Sequence, residues 1–495
     1  TFFSIKMNIG SKKHIIFAIL LSILFDDTIA FAQEKVQPRI VIDKQRMAQM
    51  DKETTSEGRS EKSVERIVPI ISFEFDKKNA IYKLGEEALF SIFIRNPDST
   101  LYNGECKYKL TDENSVTLRE GTLIVTHGKC EYKSVSKAAG FIRLYVTAKY
   151  QNNVATNYAT VGFEPEKIEA SQTFPADFMD FWEKQKATLD TIPPNINRVE
   201  FDGPDSAYKY EYIDFQNIGG KRFYFLMTQP KKPGQYGISM RIPGAGVYKR
   251  HVHLSTLPNT ISIELSIHDF PINQPIETYE EIIPHYFRII NGKKERYQKF
   301  DVHDREKYYY KSVILGLWRT LDIACAEPNA DLNKLMVSGG SQGGGLTLAI
   351  AGLDRRIKFI EVKCPVLCDH TAAIRQPGRA AGWPRLFEAV EKPEFIDDAI
   401  KTSAYYDNCN FARYITAPVF VVQGFNDTTV PPSGTYAMFS LIKSPKELYV
   451  EPYSAHGFTP EALKQTAIRS ANFRKKYFYE WNKSDSWKEG GDNEK

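Results

Sequence analysis

Leu335-Met-Val-Ser-Gly-Gly-Ser-Gln-Gly-Gly-Gly345 decides how this 495-residue chain is read. An aliphatic strand runs straight into Gly-x-Ser-x-Gly, and Leu346-Thr-Leu-Ala-Ile-Ala-Gly-Leu353 follows with the apolar spacing of a helix. Gly-x-Ser-x-Gly alone is common in passive glycine-rich turns. Strand before and helix after make it a nucleophile elbow, in which Ser341 sits on a sharp turn and Gly339 and Gly343 leave room for close backbone approach. A phosphate loop is excluded because no Gly-Lys-Ser/Thr closes the run.

A serine hydroxyl is a poor nucleophile until a base takes its proton, so the elbow demands a histidine and an acid to orient it. In a sheet of this kind the chain order is Ser, acid, His, and only His370 and His456 follow Ser341. His370 comes too early. His456 lies in Tyr453-Ser-Ala-His-Gly-Phe458, just past the strand-like Glu447-Leu-Tyr-Val450. The acid expected is Asp427, in the turn Gly424-Phe-Asn-Asp-Thr-Thr-Val-Pro-Pro432 after the apolar run Pro418-Val-Phe-Val-Val-Gln-Gly424. Taken alone, Asp427 would read as a turn or helix-capping aspartate; three residues in order on the expected elements are far more specific. For the oxyanion, the amide of Gln342 follows the nucleophile. A second amide is expected from Ala245, in Pro243-Gly-Ala-Gly246 at the end of the strand Ile238-Ser-Met-Arg-Ile242.

Gly339-Gly-Ser-Gln-Gly-Gly344, Phe174-Pro-Ala-Asp-Phe-Met-Asp-Phe-Trp182, the Asp427 segment with its two prolines, and His456-Gly457 together resemble the acetyl xylan esterase and cephalosporin C deacetylase family, carbohydrate esterase family seven. The resemblance spans about Ile168 to Trp481. It implies a serine α/β hydrolase that removes acetyl or other short acyl groups from sugar hydroxyls without a cofactor or metal, with Ser341, Asp427 and His456 at the matching positions. Gly378-Arg-Ala-Ala-Gly-Trp-Pro384 and Tyr405-Tyr-Asp-Asn-Cys-Asn-Phe411 look like the branch that accompanies polysaccharide breakdown. Many members carry His-Gly-Tyr where this chain has Pro243-Gly244-Ala245. Loss of that tyrosine leaves more room beside the acyl group, and Pro243 and Trp383 are expected to line the substrate pocket. A peptidase of the same fold and a non-catalytic glycan binder are the competing classes. No blade-length repeat supports the first, and an intact Ser-Asp-His set disfavours the second.

The rest of the chain is organised around that unit. A hydrophobic fraction of 42% suits a globular protein, and the net charge of +4 with no long Lys/Arg block gives no reason to invoke nucleic acid. Lys12-Lys13, the apolar stretch His14 to Phe25 and Ala30-Phe-Ala32 read as a secretory signal over 7–32, started by Met7 and cut near Ala32. Its apolar core is short for a membrane anchor, so a secreted or periplasmic enzyme is expected. A charged arm follows over 33–66. Strand-like runs at Ala88 to Ile94, Gly121 to Val125 and Ile142 to Lys149 predict a small immunoglobulin-like β-sandwich over 67–165. Alternating strands and helices over 166–482 predict an α/β-hydrolase domain with a doubly wound, mostly parallel sheet; a helical cap is expected between Pro365 and Thr416, and a polar tail over 483–495. The pair Cys106 and Cys130 falls in the sandwich region, its pairing open. His251-x-His253 lacks the partners of a metal site. The expected partner is an acylated sugar or polysaccharide, and a homo-oligomer is compatible with the sequence.

Overall fold

The computed structural model describes residues 67–247, 256–272, 276–290, 293–389 and 393–478. The expected signal segment, arm and polar tail, and the His251/His253 pair, lie outside the described residues.

The first strands are β1 (Ile70–Phe75), β2 (Ile81–Tyr82), β3 (Ala88–Arg95), β4 (Gly104–Asp112), β5 (Thr117–Val125), β6 (Lys129–Ser134), β7 (Gly140–Tyr150) and β8 (Asn153–Phe163). They make a three-stranded sheet of order β1-β3-β6 and a five-stranded sheet of order β2-β8-β7-β4-β5. Period-two patterning drives this: in β3 Ala88, Phe90, Ile92 and Ile94 are buried while the residues between them are half-exposed. Cys106 on β4 and Cys130 on β6 are free thiols on different sheets, close enough for a sulfur hydrogen bond between them.

Beyond them come α1 (Phe178–Asp190), β9 (Asn197–Phe201), β10 (Tyr208–Gln216), β11 (Arg222–Pro230), β12 (Tyr236–Ile242), β13 (Thr260–Ser266), β14 (Phe287–Ile290), β15 (Lys293–Arg296), α2 (Tyr309–Cys325), β16 (Ala330–Gly340), α3 (Gln342–Leu353), β17 (Phe359–Lys363), β18 (Val419–Gly424), α4 (Pro432–Leu441), β19 (Lys446–Glu451) and α5 (Pro460–Tyr477). Nine of these strands form one sheet of order β19-β18-β17-β16-β12-β13-β11-β10-β9. Pairing is parallel from β19 to β13 and antiparallel from there through β11 and β10 to β9. The antiparallel edge is an addition to the sequence reading; β9 is mostly exposed, so no apolar alternation marks it.

Both faces of the parallel part are covered. Val419 and Val421 of β18 enter the main core, whereas Phe420 and Val422 point the other way onto Phe473 of α5 and Phe478 just past it. Phe178, Phe181 and Trp182 form the buried face of α1 as their spacing predicts, and the Trp182 indole donates to the Tyr405 carbonyl at 3.1 Å. Between Pro365 and Thr416 the chain makes a series of short helical segments, among them Ala372–Arg375, Leu386–Ala389, Ile396–Ser403 and Asn408–Phe411. Buried polar side chains hold them: Asp369 pairs with Arg379, and Asp407 accepts the amides of Asp369 and His370.

Candidate active site

Parallel strands present their carboxyl ends to one edge, and the site is assembled there. β16 delivers Ser341 with φ 56° and ψ −121°, a left-handed backbone that costs a non-glycine residue about 1–3 kcal/mol. The turn is held by main-chain bonds: the Ser341 amide donates to the Lys363 carbonyl at 2.8 Å, and its carbonyl accepts from Gly345 and Val366. A Cβ at Gly343 would run into the Ile242 carbonyl, so glycine there lets the start of α3 lie against the end of β12.

β18 ends at Gly424 and the chain turns through Asp427, which is fully buried. Its Oδ1 accepts the amides of Thr429 and Val430 at 2.9 and 2.8 Å, leaving Oδ2 to face His456 Nδ1 at 2.7 Å. The loop after β19 places His456 Nε2 3.1 Å from Ser341 Oγ. That loop lies directly on Gly424, where a Cβ would strike the carbonyls of Ser454 and Ala455. The three residues singled out in the sequence thus meet in one hydrogen-bonded line. Burial disfavours the charged His456 imidazole, but the Asp427 charge and its hydrogen bond outweigh burial and raise the pKa above the ordinary 6.5. If only the neutral ring can accept the serine proton, kcat/KM must rise with pH through a midpoint above 6.5. A pH-rate profile with its acid limb at or below that value would contradict this arrangement.

A thiol and a second histidine remain to be accounted for. Cys364 forms a cluster with Asp427 and His456 whose ligand-type atoms lie within 4.8 Å of one another. Burial first, then the Asp427 charge, pushes its thiol well above the usual range, so it stands as a neutral SH. His370, the other histidine after the elbow, is fully buried among Asp369, Asp407 and Gly382, and burial holds its pKa low.

Gln342 directly follows the serine in the chain, and Gly244, one residue before Ala245, approaches the elbow, a Cβ there lying 3.7 Å from the Gly340 carbonyl. Gln342 opens α3, where an amide has no acceptor within its own helix, and neither its amide nor that of Ala245 has a hydrogen-bond partner among the described residues. Sequence reasoning missed the scaffold behind them. The Gln342 side chain is buried; its Oε1 accepts the hydroxyls of Tyr297 and Tyr310 at 2.7 and 2.8 Å, and its Nε2 reaches the Gly244 carbonyl at 3.4 Å. Tyr297 Oη also accepts the Gly246 amide, and the His268 ring bridges the Gly246 carbonyl and Tyr309 Oη at 2.9 and 2.7 Å. The Tyr308-Tyr-Tyr310 run was the available signal, but no spacing rule ties it to a loop sixty residues upstream. Gln342→Ala should remove the acceptor of the buried Tyr310 hydroxyl, at about 1–3 kcal/mol, and one of the partners of Tyr297, read as a lowered midpoint in thermal or urea unfolding; an unchanged midpoint would refute that scaffold. Of the expected pocket residues, Pro243 is buried behind the elbow with its carbonyl against Gly343, and Trp383 is half-buried with its carbonyl bonded to the Leu367 amide.

A family model described as acetyl xylan esterase (AXE1) matches residues 297–476. The acetyl esterase Axe7A of Xylanibacter ruminicola is 32% identical over 398 residues, covering 77% of this chain and 85% of the relative. Among solved structures, an acetyl xylan esterase from Paenibacillus sp. R4 superposes with a TM-score of 0.52 at 23% identity, over 62% of this chain and 98% of that one. Acetyl xylan esterase 1 from Thermoanaerobacterium sp. JW/SL YS485 gives a TM-score of 0.52 at 20% identity, over 62% and 96%. These two likenesses carry the fold, an α/β hydrolase with a mixed sheet.

Proposed function

The chain belongs to the acetyl xylan esterase family and is a carboxylic ester hydrolase, and from that premise we propose that it deacetylates sugar hydroxyls of plant-type polysaccharides through Ser341, His456 and Asp427. The observation that carries this reading is the line of 2.7 and 3.1 Å contacts from Asp427 through His456 to Ser341.

The chemistry follows from the geometry. Ser341 Oγ attacks the acetyl carbonyl while His456 Nε2 takes its proton, and Asp427 holds Nδ1–H and stabilises the imidazolium. Charge on the carbonyl oxygen is met by the amides of Gln342 and Ala245, a donor of this kind lowering the barrier by about 2.7–4 kcal/mol. The imidazolium returns its proton to the departing sugar oxygen. Water, activated by the same ring, then cleaves the acetyl-serine and releases acetate.

The test is mass spectrometry of acetylated xylan, pectin and mannan oligosaccharides after digestion, run beside aminoacyl amides. Stepwise loss of acetyl groups from xylan fragments is expected; amide cleavage without deacetylation would overturn the assignment. Ala245 in place of the bulkier tyrosine leads us to expect that butyryl aryl esters are hydrolysed at a specificity constant within about tenfold of acetyl, one methylene being worth roughly 10–200-fold where a pocket is tight. A steep acetyl preference would count against a widened acyl site.

The same proposal places the boundary between an immunoglobulin-type sandwich and the hydrolase near residue 165, supported by two small sheets ahead of α1. It also takes the enzyme to be exported, from the signal-like residues 7–32. No helix among the described residues is long and apolar enough to cross a membrane. A protein recovered from cells with an N-terminus at Gln33 is the expected outcome; one retaining Met7 would exclude cleavage.

A further inference from the structure

The loops that bring acid and base to the serine both rest on the N-terminal strands. Tyr158 of β8 is buried, and its hydroxyl donates to the carbonyl of Asn426, the residue before Asp427, at 3.1 Å. The Arg143 guanidinium lies 5.4 Å from the Tyr158 ring centre and is itself anchored by Nε donating to Thr160 Oγ1 at 3.0 Å. One residue further back, Phe425 packs edge-on against Phe141 of β7 with ring centres 5.0 Å apart. On the other loop Tyr453, three residues before His456, stacks on Phe75 of β1 at 5.1 Å and 16°. Asn426 ties the two loops together, its amide donating to the Ser454 carbonyl at 3.0 Å and its side chain to that of Tyr453 at 3.3 Å.

Downstream of the acid there is a second clamp. Glu113, just past β4, is buried; its carboxylate accepts the Ser433 amide at 3.0 Å, the Ser433 hydroxyl, and the Ala380 amide at 3.2 Å. Ser433 lies in the first turn of α4, where a carboxylate is favoured by the unpaired amides and the helix dipole. The turn from Asp427 to Pro431 is therefore held at one end by Tyr158 of β8 and at the other by Glu113, in the turn after β4.

We propose that Tyr158 is a positioning residue for ester hydrolysis: its hydroxyl on the Asn426 carbonyl keeps Asp427 in line with His456, and the Phe75–Tyr453 stack does the same for the imidazole loop. This rests on the reading of Ser341, His456 and Asp427 as the reacting set. Displacing a reacting group by about 1 Å costs on the order of 100-fold, so a hydroxyl that fixes a loop can act on rate without touching substrate.

Tyr158→Phe keeps the ring and removes only the hydroxyl. The expected result is a kcat lower by roughly 10-fold, within the scale of such displacements, at a KM within about twofold of the parent. The downfield proton resonance between His456 Nδ1 and Asp427 should weaken or vanish. A purely structural tyrosine would lower the melting temperature and leave kcat and that resonance as they were, which would overturn the proposal. If Tyr158→Phe does not fold, Phe75→Leu is read in the same way: wild-type kcat and resonance refute the brace. Asp427→Asn in the same series separates the two levels, since full activity there would overturn the reading of the triad itself, whereas an inactive Asp427→Asn beside an unaffected Tyr158→Phe defeats the brace alone.

Discussion

Ser341→Ala should lower kcat on acetyl esters by about 10⁶-fold, the scale seen when the nucleophile of a serine hydrolase is removed. The physical basis is local. Ser341 Oγ stands 3.1 Å from His456 Nε2, on a backbone strained into the left-handed region to put it there. The neighbouring thiol cannot replace it: Cys364 is buried and held protonated. Because the amides of Gln342 and Ala245 survive the substitution, KM should change little and a residual rate of roughly 10³–10⁴-fold over water should persist. Assays with p-nitrophenyl acetate and acetylated xylo-oligosaccharides would check this, and a variant within 100-fold of the parent would exclude Ser341 as nucleophile.

Asp427→Asn carries the second largest effect, about 10⁴-fold in kcat. Oδ1 of the residue is committed to the amides of Thr429 and Val430. An asparagine must keep its carbonyl on those donors, so its NH₂ points at His456 Nδ1. That nitrogen then has to accept, the ring proton moves to Nε2, and the ring offers Ser341 a donor where it needs a base. The turn should stay folded, because both amides remain bonded. The rise of the His456 pKa due to the Asp427 charge should disappear as well, leaving burial to pull it down. An unfolding midpoint near that of the parent with four orders of magnitude less activity is the expected pair of readings; a loss below tenfold would show that the aspartate does not orient the base.

Much of this was open to a reader of the linear chain because the relevant signals are short-range. Strand, Gly-x-Ser-x-Gly and helix are consecutive around Ser341, Asp427 and His456 each follow a run of strand-like residues, and the apolar spacing of Phe178, Phe181 and Trp182 gives a helix face directly. Other features left no such trace. The exposed β9 has no apolar pattern, and the buried polar pairs that hold the segment after Pro365, such as Asp369 with Arg379, follow no spacing rule. Tyr297, Tyr310 and His268 brace the amide loop from positions far along the chain, each indistinguishable in sequence from an ordinary core aromatic.

The sequence by itself determined the elbow, because strand, turn and helix follow from residue type and spacing within about ten positions, and it singled out Asp427 and His456 as candidates from the strand-like runs just before them and from the chain order that a sheet of this class imposes. Only the tertiary structure decided that the Gln342 side chain anchors the amide loop and that β1, β4, β7 and β8 hold the turns bearing Asp427 and His456. Such contacts join residues as distant as Tyr158 and Asn426, and the choice among many buried tyrosines is made by packing in three dimensions.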